Sequence, residues 1–209
     1  TYEVELCPVL QGTHEIHILL NGKGASNQPE RIRDTANSRR HESAMGTHLG
    51  QYVHNSPYHL TVTHSTANPF TTTAHGTGLV GATVLIPEYV MITVRDSWDN
   101  VLRPPMTVVP TAVLDRTPNA SVSIHSFNNG SYMLSYIAQF SGSNLLSILI
   151  EGNHIKGSPF TVPIHEAIAA DDYFSVARGQ GLLIGTVGEA SYFEVFAYDY
   201  YGNRRTTSE

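Results

Sequence analysis

The chain repeats itself at the length of a domain, and this limits its fold more than any other feature. Residues 76–100 (GTGLVGATVLIPEYVMITVRDSWDN) align with residues 179–203 (GQGLLIGTVGEASYFEVFAYDYYGN) at a constant offset of 103. Gly76, Gly78 and Leu79 fall on Gly179, Gly181 and Leu182; Val90, Ile92 and Val94 on Phe193, Val195 and Ala197; Asp96 and Asn100 on Asp199 and Asn203. A second match has an offset of 130: SYMLSYIAQFSG at 131–142 on TYEVELCPVLQG at 1–12, then Leu146, Ile148 and Ile150 on Ile16, Ile18 and Leu20. Beyond it, GSPFTVPI at 157–164 matches NSPYHLTV at 55–62 with offset 102. The two offsets differ by 28, so copy one carries a 28-residue insertion after Gly22, and removing it leaves a period near 102. Such a period is a whole domain, which makes the chain a tandem array of domains rather than a solenoid of small units.

Within a period, short runs of alternating apolar and polar residues are bounded by Gly, Pro, Asn and Asp, the signature of strands and turns. The complete copy, 75–164, predicts strands near 79–86, 89–95, 107–114, 120–125, 131–137, 143–150 and 158–164. Seven short strands in about ninety residues, with no sustained helical stripe, read as an all-β sandwich. Asn128-Asn129-Gly130 predicts a tight turn into the fifth strand. Pro110 lies inside the predicted third strand and cannot donate to a ladder, so that strand is an edge, is bulged, or starts later. Tyr132 and Tyr136 share a face with Leu134 and are expected to line the core with their hydroxyls at its rim. Residues 1–64 are expected to supply the last three strands of a first copy, and 173–209 the first two of a third. Segment 65–74 reads as a Thr-rich linker, and 165–172 (HEAIAADD) as a junction able to form a helical turn.

The insertion at 23–50 is polar and poor in β-branched residues, so it predicts a long loop. It carries Lys23, Arg31, Arg33, Arg39 and Arg40 against Glu30, Asp34 and Glu42. Loops of this length often carry function, which makes Arg31, Arg33, Arg39 and Arg40 candidate interaction residues; a tolerated surface insertion is the alternative.

Composition excludes several classes. Twelve basic against eighteen acidic residues give a net charge of −6, unsuited to nucleic acid. No apolar run is long enough for a membrane-spanning helix; no signal-peptide pattern is read at the start, and the chain reads as a fragment, so absent targeting signals say little about its parent. The single cysteine, Cys7, excludes an internal disulfide framework and is expected to be a buried strand residue. Eleven histidines are present, but His14 and His17 alternate to opposite strand faces, as do His59 and His64; His41, His48 and His54 lie in or near the insertion, where a metal site would need folding the sequence does not predict. Asp96, Asp99 and Asn100 match no calcium loop and read as turn formers, as do Asp171 and Asp172. The glycine segments GTGLVG and GQGLLIG lack the residues of a phosphate loop. No catalytic motif, cofactor site or metal site is expected, and the chain is read as non-enzymatic.

HIKGSPF at 154–160, the glycine-led strand at 142, SPY at 56–58, and GQGL with DYYGN at 179–203 together resemble the filamin-type immunoglobulin-like repeat. The complete copy departs from the family at its turn, Trp98-Asp99-Asn100. The resemblance implies tandem immunoglobulin-like β-sandwiches of seven strands that serve as spacers and docking modules. It also implies that a partner strand adds beside the third strand, in the groove with the fourth. Carried over, the candidate docking residues are Val109, Thr111, Val113, Val122 and Ile124; which alternate set faces outward stays open, and Pro110 removes one backbone donor. The implied partners are proteins and neighbouring repeats of the same chain.

Asn119-Ala120-Ser121 and Asn129-Gly130-Ser131 are N-glycosylation sequons at predicted turns. They favour a surface or secreted adhesion module, an architecture similar to gamete-expressed surface proteins with filamin repeats. An intracellular actin-crosslinking or scaffold rod is the alternative.

Overall fold

A computed structural model describes residues 3–21, 50–105, 108–117 and 121–206. The insertion therefore lies almost wholly outside the described residues, and Arg31, Arg33, Arg39 and Arg40 with it. Contacts divide the chain into two units, Thr1–Ser65 and Thr66–Glu209.

In the first unit, β1 (Gly12–Ile16) pairs antiparallel with β4 (Tyr58–Val62), and β2 (Leu19–Asn21) with β3 (Gly50–Tyr52). The strand expected before Gly12 does not form: residues 3–9 have no regular structure, and Val4 and Leu6 are exposed. In the complete copy the matching strand is held between two neighbours, and no described strand flanks it here. Cys7 is for the same reason exposed, contrary to the expected buried residue.

The second unit begins with β5 (Thr73–His75), followed by a 3-10 turn at Thr77–Leu79, β6 (Ala82–Thr83), β7 (Pro87–Thr93), β8 (Thr111–Leu114), β9 (Ser121–Ser126), β10 (Ser131–Ile137), β11 (Gly142–Ile150), β12 (Asn153–His154) and β13 (Phe160–His165). One sheet has the order β5-β7-β10-β9. In the other, β11 pairs β8 on one side and β12 and β13 on the other, and β6 joins β13 in parallel. This is the two-sheet immunoglobulin-like sandwich. β5 begins in the last two residues of the segment 65–74 read as a linker. Its strand character comes from pairing with β7, through Thr73↔Thr93 to His75↔Met91, and not from any apolar alternation of its own.

The core follows the period of two. Val90 and Ile92 of β7, Tyr132, Leu134 and Tyr136 of β10, Leu146, Ile148 and Ile150 of β11, and Val162 and Ile164 of β13 are all buried between the sheets. Each such side chain contributes roughly 1.5–3 kcal/mol through removal from water. Gly76 explains one conserved offset in the repeat: at φ +141° its Cβ would lie 2.7 Å from the Tyr89 carbonyl oxygen, and Gly179 has the same conformation against Phe193.

The C-terminal segment consists of β14 (Asp171–Arg178), a second 3-10 turn at Gln180–Leu182, and β15 (Glu194–Tyr198). Its register repeats the complete copy at offset 103: Val176↔Phe196 stands for Thr73↔Thr93, and Arg178↔Glu194 for His75↔Met91. Phe193 and Val195, whose counterparts Val90 and Ile92 are fully buried, are exposed. Residues 166–170 form bends and coil instead of the helical turn the sequence allowed; Ala167 is buried in the core and ties the segment down.

Candidate functional site

β8 and β9 each pair on one side only among the described strands, β8 with β11 and β9 with β10. Each is thus one free edge of its sheet, β5 and β6 lying at the opposite edges, and the two lie next to each other on one side of the sandwich. Antiparallel ladders alternate between residues that bond the neighbour and residues that turn their N–H and C=O away. The Asp115 N–H donates to the Leu145 carbonyl at 3.0 Å, one step beyond the Leu114↔Leu146 pair. Thr111 and Val113 therefore bond to β11, while Ala112 and Leu114 direct their backbone groups to the open side. On β9, the Phe127 N–H donates to the Ser131 carbonyl at 3.0 Å. By the same alternation Val122, Ile124 and Ser126 present theirs.

The five residues expected at a docking groove divide into two sets. Val109, Thr111 and Val113 are exposed on the outer face of their sheet, with Val109 62% and Val113 59% accessible. Val122 and Ile124 are half-buried on the inner face of β9 and pack against the core. The groove-side residues of the β8 segment are Val108 and Ala112, also packed on the core. Sequence reasoning missed both, although the parity of the core residue Leu114 marks Ala112 as inward-facing. Pro110 is buried and immediately precedes β8, so the predicted third strand starts later and its missing donor falls at the strand's beginning. From Val108 to Leu114 there is no charged residue.

Two tyrosines hold this region. The Tyr132 hydroxyl donates to the Val108 carbonyl at 2.7 Å, pinning the approach to β8 onto β10. The Tyr136 hydroxyl donates to the Gly78 carbonyl, tying β10 to the first 3-10 turn. Burial pushes both phenols up; for Tyr136, with the Glu88 carboxylate adding to the effect, the value rises to about 12. Asn129 is exposed in the β9–β10 turn, where its side-chain oxygen accepts the Ser131 N–H at 3.0 Å. Asn119 lies outside the described residues.

Asp96, read as a turn former, acts as one, and Asp199 is its counterpart at offset 103; Asp171 and Asp172, also read as turn formers, instead open strand β14, because Asp171 joins the ladder with β15. Asp96 accepts the N–H groups of Trp98 and Asn100, both at 2.9 Å, and Asp199 those of Tyr201 and Asn203 at 3.0 and 2.9 Å. Among the described residues, no group of three or more His, Cys, Asp or Glu side chains is arranged to hold a metal. No helix there is long and apolar enough to cross a membrane.

Residues 66–161 match the family model of the Filamin/ABP280 repeat. Among solved structures, the filamin domain of Lin-41 is 23% identical, the match covering 48% of this chain and 98% of that domain at a TM-score of 0.40. Invasin, a bacterial integrin-binding protein, is 13% identical over 96% of this chain and 42% of its own at a TM-score of 0.51. The Escherichia coli adhesin FdeC is 18% identical over 74% and 49%, at 0.49. The chain spans less than half the length of either bacterial structure. The likeness to invasin is one of fold, and it agrees with the immunoglobulin-like sandwich. The matched segment, residues 66–161, is a filamin-type immunoglobulin-like repeat.

Proposed function

We propose that the chain is a non-enzymatic protein-interaction and spacer segment of a tandem filamin-repeat array. In this reading it serves adhesion at a cell surface and receives an extended partner strand along β8. The observation that carries the docking reading is the pair of free edges, with Ala112 and Leu114 directing backbone donors and acceptors into an uncharged groove backed by Val108, Val122 and Ile124. Sheet edges are commonly guarded by charge or proline against unwanted pairing. Here the guard is Pro110 alone, at one end. A partner would supply an extended segment with small or β-branched side chains at alternate positions. The surface reading is supported by the exposed sequon at Asn129 and by invasin, a structural neighbour whose name gives it as integrin-binding.

Peptides selected from a random heptapeptide display library on the full chain test the docking reading. Ala112→Pro removes one outward N–H and leaves the β11 ladder intact, so selected peptides should bind at least about tenfold more weakly. Peptides that bind Ala112→Pro unchanged overturn it. For location, protein from its native source should lose mass on glycosidase treatment, and an unchanged mass favours the intracellular scaffold instead.

A further inference from the structure

We propose that the turn Asp199–Asn203 is a latch that docks on the end of the preceding repeat and fixes the angle between the two. The proposal concerns the junction and does not depend on strand docking at β8.

The Asn203 amide works in both directions. Its oxygen accepts the Ser141 N–H at 2.9 Å and the Ser141 hydroxyl at 3.3 Å. Its nitrogen donates to the Gln139 carbonyl at 2.8 Å and to both Asp199 carboxylate oxygens, at 3.0 and 2.9 Å. Gln139 and Ser141 belong to the β10–β11 loop of the complete repeat, whereas Asn203 follows β15 of the next. Asp199, fully buried, extends the contact by accepting the Ala167 N–H at 3.3 Å. Glu166 closes it from the other side, accepting the Thr206 N–H and hydroxyl, each at 3.0 Å. Phe140 and Tyr201 meet across the junction with ring centroids 6.5 Å apart.

The seam thus joins three segments: the β10–β11 loop, the connector at 166–170, and the turn after β15. Only an amide satisfies both of its sides, since a carboxylate would face the Asp199 carboxylate and the Gln139 carbonyl, and an alanine would leave Ser141 unpaired. The internal bonds of the turn recur one repeat earlier. In the complete repeat Asp96 and Asn100 form the same turn, with the Asp96 N–H on the Asn100 carbonyl at 2.9 Å and the Asn100 amide on the Asp96 carboxylate at 3.1 and 3.0 Å. A short connector held at both ends makes the junction a stiff element instead of a flexible tether.

The test uses the full chain with Cys7→Ser and spin labels at Thr161→Cys on β13 and Arg178→Cys on β14. The parent should give one narrow distance distribution. Asn203→Asp should broaden it at least twofold, and should speed hydrogen exchange at the Ser141 amide at least tenfold without altering the Leu134 or Ile148 amides. Ser141→Pro, which removes the donor from the receiving loop and leaves the turn untouched, should broaden the distribution to the same extent. A broad distribution in the parent overturns the latch. So does a distribution that Asn203→Asp or Ser141→Pro leaves unchanged.

Discussion

The Ser158 hydroxyl accepts the backbone N–H of Ile148 at 2.9 Å. Ser56 does the same for Ile18 at 3.0 Å in the first unit, at the matching position of the repeat. The reason lies in the ladder. β11 is continuous, but its partner side is interrupted between β12 and β13, and the serine supplies the acceptor that the missing strand residue would have supplied. The serine of the Ser-Pro signature is thus a ladder residue.

Replacing that acceptor should be costly. Ser158→Ala leaves the buried Ile148 N–H without its partner, and the loss should be about 1–3 kcal/mol. Urea unfolding should show a lower midpoint with an unchanged slope.

Tyr136→Phe removes the donor to the Gly78 carbonyl, and both residues are buried. The expected loss is again about 1–3 kcal/mol, from an orphaned acceptor with almost no change in packing volume. Thermal unfolding of the variant beside the parent reads it directly.

Tyr136 also predicts an alkaline signature. Its phenol ionises near 10 in the unfolded chain and at about 12 in the folded one. Its contribution is complete below pH 10 and is lost as pH rises through about 12, because the unfolded state gives up the proton first. Stability should fall by up to about 1.4 kcal/mol per pH unit in that window. Tyr136→Phe should lack this component, and unfolding curves at pH 9, 10, 11 and 12 for both proteins would show the difference.

Gly130 closes the turn before β10 at φ +89°, and an added Cβ would collide with the Leu102 carbonyl oxygen and the Val101 side chain. Gly130→Ala should destabilise by more than the roughly 1 kcal/mol of the conformational penalty alone, because backbone must also move. Gly152→Ala, at φ +80° with open space around it, serves as the matched control and should cost only the conformational part. Equal losses in the two variants would refute the steric account.

Much of the fold was legible because the repeat preserves register. Offsets of 130 and 102 map Gly142↔Ile164 onto Gly12↔Val62 and Leu149↔His154 onto Leu19↔Tyr52, and the structure forms both sets. The candidate site was legible only in part. Alternation marks β8 and β9 as strands, but Val109, Thr111 and Val113 belong to the outer face and the groove side falls to Val108 and Ala112. Parity is decided by which strand β8 pairs with, and that partner, β11, is some thirty residues away.

From the sequence alone came the period of the self-similarity, the all-β sandwich, the turn at Asp96 and the core tyrosines, because each is written in local spacing or in self-similarity. Tertiary structure decided the rest: that Thr73–His75 is a strand, that Cys7 is exposed, and that Asn203 reaches across a junction to Ser141. These depend on which backbone groups and surfaces are left open by neighbours distant in the chain. A hydrogen bond of that kind has no periodicity to read, only a geometry that exists once both sheets have formed.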